Sequence, residues 1–278
     1  MSKTTKTWLI TGCSSGLGQA FAEEVLKQGY QAVITSRNAD DIKKIADQYP
    51  DKALALSLDI TDKNRIVEVV KEAETKFGGI DVLVNNAGYG YRAAVEEGDD
   101  EDVRTLFDTI FFGTVNVIQA VLPGMRKRKS GTIMNVSSIG GRFSQPASGY
   151  YSAAKFALEG MSDALRKELA PLRIRAIIIE PGAFRTDFAG RSLKGAKNQI
   201  DDYEGTVGPR RKENDKSSGT QPGDPQKAAQ AIIKIAESEQ TPFRLLLGND
   251  AIEIITKELD AQKQELEAWK HISLTTDY

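Results

Sequence analysis

Tyr151 and Lys155 stand four residues apart, and Ser138 lies thirteen residues before the tyrosine. Residues four apart share one face of a helix, so an ammonium at 155 can sit beside a phenol at 151. A neighbouring cation favours phenolate and lowers a tyrosine pKa from its reference of about 10. Such a tyrosine can give and take a proton near neutral pH. Ser138 falls just past an apolar run at 133–136, where a strand should end, and its hydroxyl can hold a carbonyl oxygen beside the phenol. Tyr150 offers no such pairing, because Ala154 stands four residues beyond it. A tyrosine–lysine pair alone is equally the mark of a solvated helix face. A second signature in the same domain separates the two readings.

That signature is Thr11-Gly12-Cys13-Ser14-Ser15-Gly16-Leu17-Gly18, which follows the apolar run 8–10 and opens the helical pattern Phe21, Val25, Leu26. A strand, a glycine turn and a helix make the context of a dinucleotide site. Glycines permit the tight turn and the close approach of backbone to pyrophosphate. The open N–H groups and positive end of the helix then bind the anion. Gly12, Ser14, Ser15, Gly16, Leu17 and Gly18 are therefore candidate cofactor contacts. Cofactor choice turns on the end of the second strand, where an acid binds the ribose 2′-hydroxyl of NAD and an arginine accommodates the 2′-phosphate of NADP. The sequence there is Ile34-Thr35-Ser36-Arg37-Asn38. No carboxylate stands at Ser36 to repel a phosphate, and the Arg37 guanidinium can pair with one bidentately. Asp40 and Asp41 read as caps of the next helix. NADP(H) is expected over NAD(H).

Strand and helix patterns alternate along the chain. Short apolar runs at 8–10, 32–35, 53–58, 82–84, 133–136, 176–179 and 245–247 read as buried parallel strands. Amphipathic stretches such as 61–77, 99–122 and 151–170 read as helices between them. This pattern is an α/β doubly wound parallel sheet of about seven strands, a single Rossmann-like domain over 1–278, with ligands at the carboxyl ends of the strands. Residues 189–225 break the pattern, being rich in Gly, Lys, Asp and Ser. A structureless loop of that length is usually functional or disordered.

Together these residues resemble the short-chain dehydrogenase/reductase family in its single-domain branch, over about Lys6 to Gly248. Further motifs match in order: Asp59 after the third strand, Asn85-Asn86-Ala87-Gly88 after the fourth, and Pro181-Gly182 with Thr186 after the sixth. The glycine-loop wording, the stretch Asn85 to Gly90 and the run Arg244 to Gly248 are also similar to a bacterial group near the 17β-hydroxysteroid dehydrogenases. The resemblance implies the strand order 3-2-1-4-5-6-7. It adds Asp59, Asn85, Ala87, Gly88, Pro181, Gly182 and Thr186 to the cofactor contacts, along with Tyr151 and Lys155. It assigns the catalytic roles: Ser138 bonds the substrate oxygen, Tyr151 passes the proton, and Lys155 lowers the tyrosine pKa and bonds the nicotinamide ribose. Within Ser138-Ile139-Gly140-Gly141 it favours Ser138 over Ser137. It makes 189–225 a loop over the substrate, the other reading being a surface insertion; the polar character of the segment implies that it is mobile without ligand. One position departs from the pattern. Many members carry an asparagine three residues before a glycine on the helix preceding the fifth strand, as part of a proton relay. Here Ile110 stands three before Gly113, and Asn116 falls on another helix face.

Composition narrows the partners. The chain has 278 residues, 40% of them hydrophobic, and a net charge of −2, so no nucleic acid partner is expected. The one cysteine, Cys13, and the one histidine, His271, exclude a disulfide framework, a cysteine-rich zinc site and a Ser-His-Asp hydrolase. No metal is expected. No apolar stretch precedes the first strand and no apolar run approaches ~18 residues, so the reading is a cytoplasmic protein without signal peptide or membrane partner. Helices 99–122 and 151–170 carry apolar residues on more than one face, which points to a homodimer or homotetramer. Ile252, Ile255, Leu259, Gln262, Leu266 and Trp269 form a coiled-coil-like stripe, expected to pack on its own domain. Tyr89, Tyr91, Phe143, Phe184 and Phe188 lie near the expected pocket and imply a partly apolar substrate, although core packing would use the same residues. Two functions fit: an NADP(H)-dependent carbonyl reductase or alcohol dehydrogenase, or a noncatalytic NADP(H)-binding redox sensor on the same fold.

Overall fold

Strand residues point alternately to opposite faces, and here both faces are covered. Trp8, Ile10, Ile34, Val84, Met134 and Ile177 pack on one side with Phe21, Val25 and Ile232. Leu9, Val33, Leu83 and Ile133 pack on the other with Ile66, Val69, Val117, Val121 and Leu165. That double burial explains why the strands read as continuous apolar runs. The computed structural model describes residues 5–189, 193–217 and 219–278. Its strands are β1 (Thr7–Ile10), β2 (Gln31–Ser36), β3 (Ala53–Ser57), β4 (Val82–Asn85), β5 (Gly90–Arg92), β6 (Gly131–Val136), β7 (Ile174–Pro181), β8 (Leu193–Gly195) and β9 (Arg244–Leu247). Seven form one parallel sheet in the order β3-β2-β1-β4-β6-β7-β9, while β5 and β8 pair separately. Counting only the strands of the main sheet, this is the expected 3-2-1-4-5-6-7 of a Rossmann-like fold.

The helices are α1 (Gly16–Lys27), α2 (Asp40–Ala46), α3 (Lys63–Phe77), α4 (Asp100–Phe107), α5 (Thr114–Arg128), α6 (Gly149–Leu169), α7 (Gly208–Ser217), α8 (Pro225–Glu237) and α9 (Asn249–Ser273). Several have local start signals. Asp62 accepts from the N–H groups of Asn64 and Arg65 at the start of α3, and Asp224 does the same for α8, whose first residue is Pro225. The sheet order reverses beside β1, which pairs with both β2 and β4. The loops after β1 and β4 thus flank the crevice where such sheets bind ligands.

Three expectations change. The helix expected at 99–122 is α4, a π-helical segment Asp108–Gly113, and α5, which runs past the exposed Pro123 to Arg128. The whole stretch Asp100–Arg128 is long and apolar enough to cross a membrane by length and composition. In the fold Val117, Ile118, Val121 and Met125 instead pack into the core with α3. The segment 189–225 is not structureless among its described residues: it holds β8, a 3₁₀ turn Asp201–Tyr203 and α7. Its polar composition is that of a surface arm held by hydrogen bonds. The apolar stripe of α9 packs on its own domain only near its start, at Ile255. Ala251 and Ile255 are buried, but Leu266 and Trp269 are 63% and 62% exposed, because the helix outruns the sheet it starts from.

Candidate active site

β6 and α6 bring the chemistry together. Ser138 caps the 3₁₀ turn Ile139–Gly141 just after β6, and its Oγ accepts from the Gly140 N–H at 3.0 Å. Its hydroxyl also hydrogen-bonds the Tyr151 side chain from α6. Lys155 is almost fully buried one turn further on. Its Nζ lies 5.8 Å from the Tyr151 ring centre and donates to the Val136 carbonyl at 2.7 Å. Phe188 meets the Tyr151 ring edge-on at 6.0 Å. Tyr150 is held elsewhere, its hydroxyl donating to Val95 O at 2.5 Å.

The electrostatics differ from the simple expectation. Burial pushes the Tyr151 pKa up, opposed by the Ser138 hydrogen bond and the charge of Arg92. Burial outweighs the lowering expected from Lys155, whose ammonium is bonded to a backbone carbonyl. Burial pushes Lys155 down to about 8, and the Glu159 carboxylate opposes that fall. Tyr151 therefore keeps its proton at neutral pH, while Lys155 remains mostly charged.

The glycine loop adjoins this group. Gly12 and Gly16 have φ of +72° and +63°, in the region that favours glycine. A Cβ on Gly18 would fall 2.1 Å from Gly12 O and 2.4 Å from Asn86 Nδ2. The loop is tied to the one after β4. Asn86 Nδ2 donates to the carbonyls of Thr11 (3.0 Å) and Gly12 (3.1 Å), and Thr11 Oγ1 accepts from the N–H groups of Asn86 and Ala87. Gly88 faces Ile110, with 3.6 Å between a Cβ built there and Cγ1. Ser15 gives α1 no side-chain cap, so the first N–H groups of α1 stay open beside Ser14 and Leu17. Cys13 is a packing residue: it is fully buried, its thiol donates to Ile10 O at 3.2 Å, and burial pushes it up to about 12.

The remaining predicted contacts divide. Arg37 is exposed beside the buried Ser36, whose hydroxyl donates to Asn38 O. Arg37 is near enough for its charge to oppose the upward push of burial on Tyr89. Asp59 faces its own turn, accepting from Thr61 N–H and Oγ1 at 2.9 and 2.7 Å. Asn85 is not brought to the crevice by its side chain. It is buried and donates to Asn135 Oδ1 at 2.8 Å, and Asn135 donates to Ser162 at 2.9 Å. Pro181 ends β7, Gly182 abuts the Asp250 carboxylate, and Thr186 lies over Gly16. Of the candidate pocket aromatics, Tyr91 and Phe184 serve packing. Tyr91 is fully buried with its oxygen accepting from Asp99 N–H, and Phe184 lies against the main core. Phe188 and Tyr89 stay near Tyr151.

Sequence reasoning missed four residues. Asn86 clamps the glycine loop, and its neighbour in the motif was the available signal. Asp250 Oδ2 accepts from Ala183 N–H at 2.7 Å and so shapes the Pro181-Gly182 loop from α9. Arg92, whose Nη1 donates to Ser148 Oγ at 2.9 Å, adds positive charge at Tyr151. Glu159 bears on Lys155. None of the last three carries a local sequence signal, because each reaches the site from another element or a later turn. Ile110 is 1% exposed within the π-helical segment, packed in one cluster with Ala154 and Tyr151. Its carbonyl accepts from Thr114 Oγ1 at 2.9 Å. Among the described residues, no three acidic, cysteine or histidine side chains gather as a metal site would need.

Known proteins are similar to this chain in sequence and fold. The family model described as short chain dehydrogenase matches residues 6–197. Oxidoreductase BOA17 of Botryotinia fuckeliana is 38% identical over 273 residues, covering 98% of this chain and 99% of that protein. The crystal structure of a short-chain dehydrogenase from Streptomyces avermitilis superposes with a TM-score of 0.92 at 41% identity, covering all of both chains. A short-chain dehydrogenase from Burkholderia cenocepacia, solved in complex with NADP, superposes at 0.73 with 26% identity, covering 96% of this chain and 98% of that one. With sheet order, glycine loop and Ser-Tyr-Lys group all in place, the chain belongs to the short-chain dehydrogenase/reductase family, a family of oxidoreductases.

Proposed function

We propose that the protein is an NADP(H)-dependent oxidoreductase that interconverts a ketone or aldehyde and its alcohol, with Tyr151 as general acid and base. The observation that carries the reading is the convergence of Ser138, Tyr151 and Lys155 beside the glycine loop. The loop fits a dinucleotide: its backbone is bare, and the open N–H groups of α1 suit a pyrophosphate. The Arg37 side chain, exposed and in no ion pair among the described residues, suits a 2′-phosphate. Asp59, the loop Asn86–Gly88, Pro181, Gly182 and Thr186 complete the cradle. When bound, NADPH supplies the hydride.

The chain's own groups handle the oxygen and its proton. Ser138 Oγ accepts from Gly140 N–H, and its hydroxyl stands beside Tyr151, so both hydroxyls can meet one substrate oxygen. Tyr151 keeps its proton at neutral pH because of burial, the state a carbonyl reduction needs. Once the proton leaves, the phenolate has Lys155 and Arg92 as nearby charge. Phe188 and Tyr89 favour a partly apolar substrate, enclosed by the arm containing β8 and α7. Phe112 and Phe156, both exposed on the helices that carry the site, support a homodimer or homotetramer. One observation favours a noncatalytic NADP(H) sensor instead: Ile110 fills the relay position with an apolar side chain.

NADPH consumption across a panel of ketones and aldehydes separates the two. Tyr151→Phe should reduce turnover at least ~100-fold and leave NADPH affinity within about twofold. Full activity in that variant, or no turnover of any carbonyl by the wild type, would overturn the enzyme reading.

A further inference from the structure

One turn beyond Lys155, four charged side chains from four elements meet in the interior. Glu159 on α6 is 5% exposed, and Glu180 at the end of β7 is fully buried. Arg244 from β9 reaches both, with Nε 2.9 Å from Glu159 Oε2 and 3.4 Å from Glu180 Oε1. Arg142, which ends the Ser138 turn, places Nη1 3.2 Å from Glu180 Oε1. Two interior carboxylates carry a large desolvation cost even when paired. Each of them also keeps one oxygen, Glu159 Oε1 and Glu180 Oε2, without a hydrogen-bond partner, as do the hydroxyls of Ser137 and Ser152. A hydrophobic packing unit would not be built this way.

The cluster touches the catalytic group from two sides. Gly141 ends the Ser138 turn, and a Cβ there would lie 2.6 Å from Ser137 Oγ and 3.2 Å from Glu159 Oε1. Glu159 thus presses on the turn that holds the catalytic serine. It also stands four residues after Lys155 on the same buried helix face. The Lys155 ammonium bonds Val136 O and has no ion pair among the described residues, so Glu159 is its nearest helical counter-charge.

We propose that Glu159 is a positioning residue for the reaction: held by Arg244, which also pairs with the Glu180 carboxylate that Arg142 holds, it locks the Ser138 turn against α6 and keeps the Lys155 ammonium charged in the interior. This rests on the oxidoreductase reading of the same site. The groups facing Glu159 are Lys155 on its own helix, Arg142 from the turn after β6, Glu180 from β7 and Arg244 from β9. Asp163, one turn further, is taken up by Arg166 and Lys167. The titration behaviour agrees. Burial pushes Lys155 down and Glu159 resists. Burial and then Glu159 push Glu180 up to about 7 against the two arginines.

The test is the titration of Lys155 Nζ by NMR, assigned with Lys155→Met and read without any turnover. Glu159→Gln should lower the midpoint by about one pH unit or more. The alkaline limb of kcat should move down with it, while KM for a carbonyl substrate changes less than about twofold. Glu159→Asp should restore most of the wild-type midpoint. An unchanged midpoint and pH profile in folded Glu159→Gln, with only a lower Tm, would reduce the cluster to packing and overturn the proposal. Should that variant not fold, the wild type suffices. Coupled groups titrate together, so the side-chain carboxyl signal of Glu159 must carry a step at the Lys155 midpoint, and its absence overturns the proposal equally. Because the midpoint needs no substrate, failure of the carbonyl panel would be recognised separately as failure of the oxidoreductase reading.

Discussion

At the residue scale, Arg37 and Ile110 carry the sharpest expectations. Arg37 is exposed, and its neighbour Ser36 brings no negative charge. A charge-assisted bond to phosphate contributes about 1.5–3 kcal/mol. Ser36→Asp combined with Arg37→Ser should therefore shift the NADP(H) to NAD(H) preference about ten- to a hundredfold toward NAD(H). Cofactor titrations of both proteins measure this, and an unchanged ratio would show that Arg37 does not read the phosphate. Ile110 is packed with Leu106, Tyr91 and Ala154 under the loop after β4. An asparagine amide placed there meets apolar neighbours, and an unpaired buried amide costs about 1–3 kcal/mol. Ile110→Asn should lower stability by that amount with no gain in turnover. A clear rate increase at unchanged Tm would mean that proton supply is merely impaired in the native protein.

At the scale of elements, the arm after β7 depends on one carboxylate. The Glu97 side chain is buried and accepts from Ala94 N–H and Ile200 N–H, each at 2.8 Å, and from Arg211. Around it Tyr203 donates to Glu96 at 2.6 Å, and Lys197 pairs with Asp99 at 3.2 Å. β8 adds a short parallel ladder to β5. Burial alone would raise the Glu97 pKa, but the Arg211 and backbone hydrogen bonds hold it below the usual value of 4.5. The folded value is depressed, so this contribution is complete above about pH 4.5 and is lost as pH falls through the folded value. Glu97→Gln should open the arm: proteolytic cleavage within 193–217 should speed up several-fold at neutral pH. The wild type should approach that rate only under acid. Equal cleavage rates at neutral pH would show that Glu97 is not the latch.

For the whole molecule, several large apolar side chains lie on the surface. Leu259, Leu266, Trp269 and Ile272 lie exposed along the outer part of α9, and Phe112 and Phe156 on the helices of the site. Apolar exposure of this extent marks an interaction surface more often than a free one. Light scattering at micromolar concentration should return a multiple of the 30.4 kDa chain mass. A mass of one chain would remove the oligomer from the reading.

The periodicity of the sequence determined the sheet, because parallel strands covered on both faces cannot avoid continuous apolar runs. Glycine spacing determined the loop after β1, because few residues tolerate a positive φ with backbone so close. The Tyr151–Lys155 spacing likewise survived folding, since helix geometry alone places the two together. Tertiary structure decided the rest. Burial, which no local pattern encodes, reversed the expected shift of Tyr151 and gave the Lys155 ammonium to Val136 O. Asn85 and Asn86 are adjacent and chemically identical, yet strand pleating sends one into the core and the other to the glycine loop. The polar arm reads as loop because its stability comes from partners roughly a hundred residues away, Glu97 above all. The stripe of α9 reads as a core face, yet lies exposed, because only the length of the domain decides where a helix runs out of neighbours. The cluster of Glu159, Glu180, Arg142 and Arg244 was invisible for the same reason: its four members are scattered in sequence, and only the packing of β6, β7, β9 and α6 makes them one charged unit.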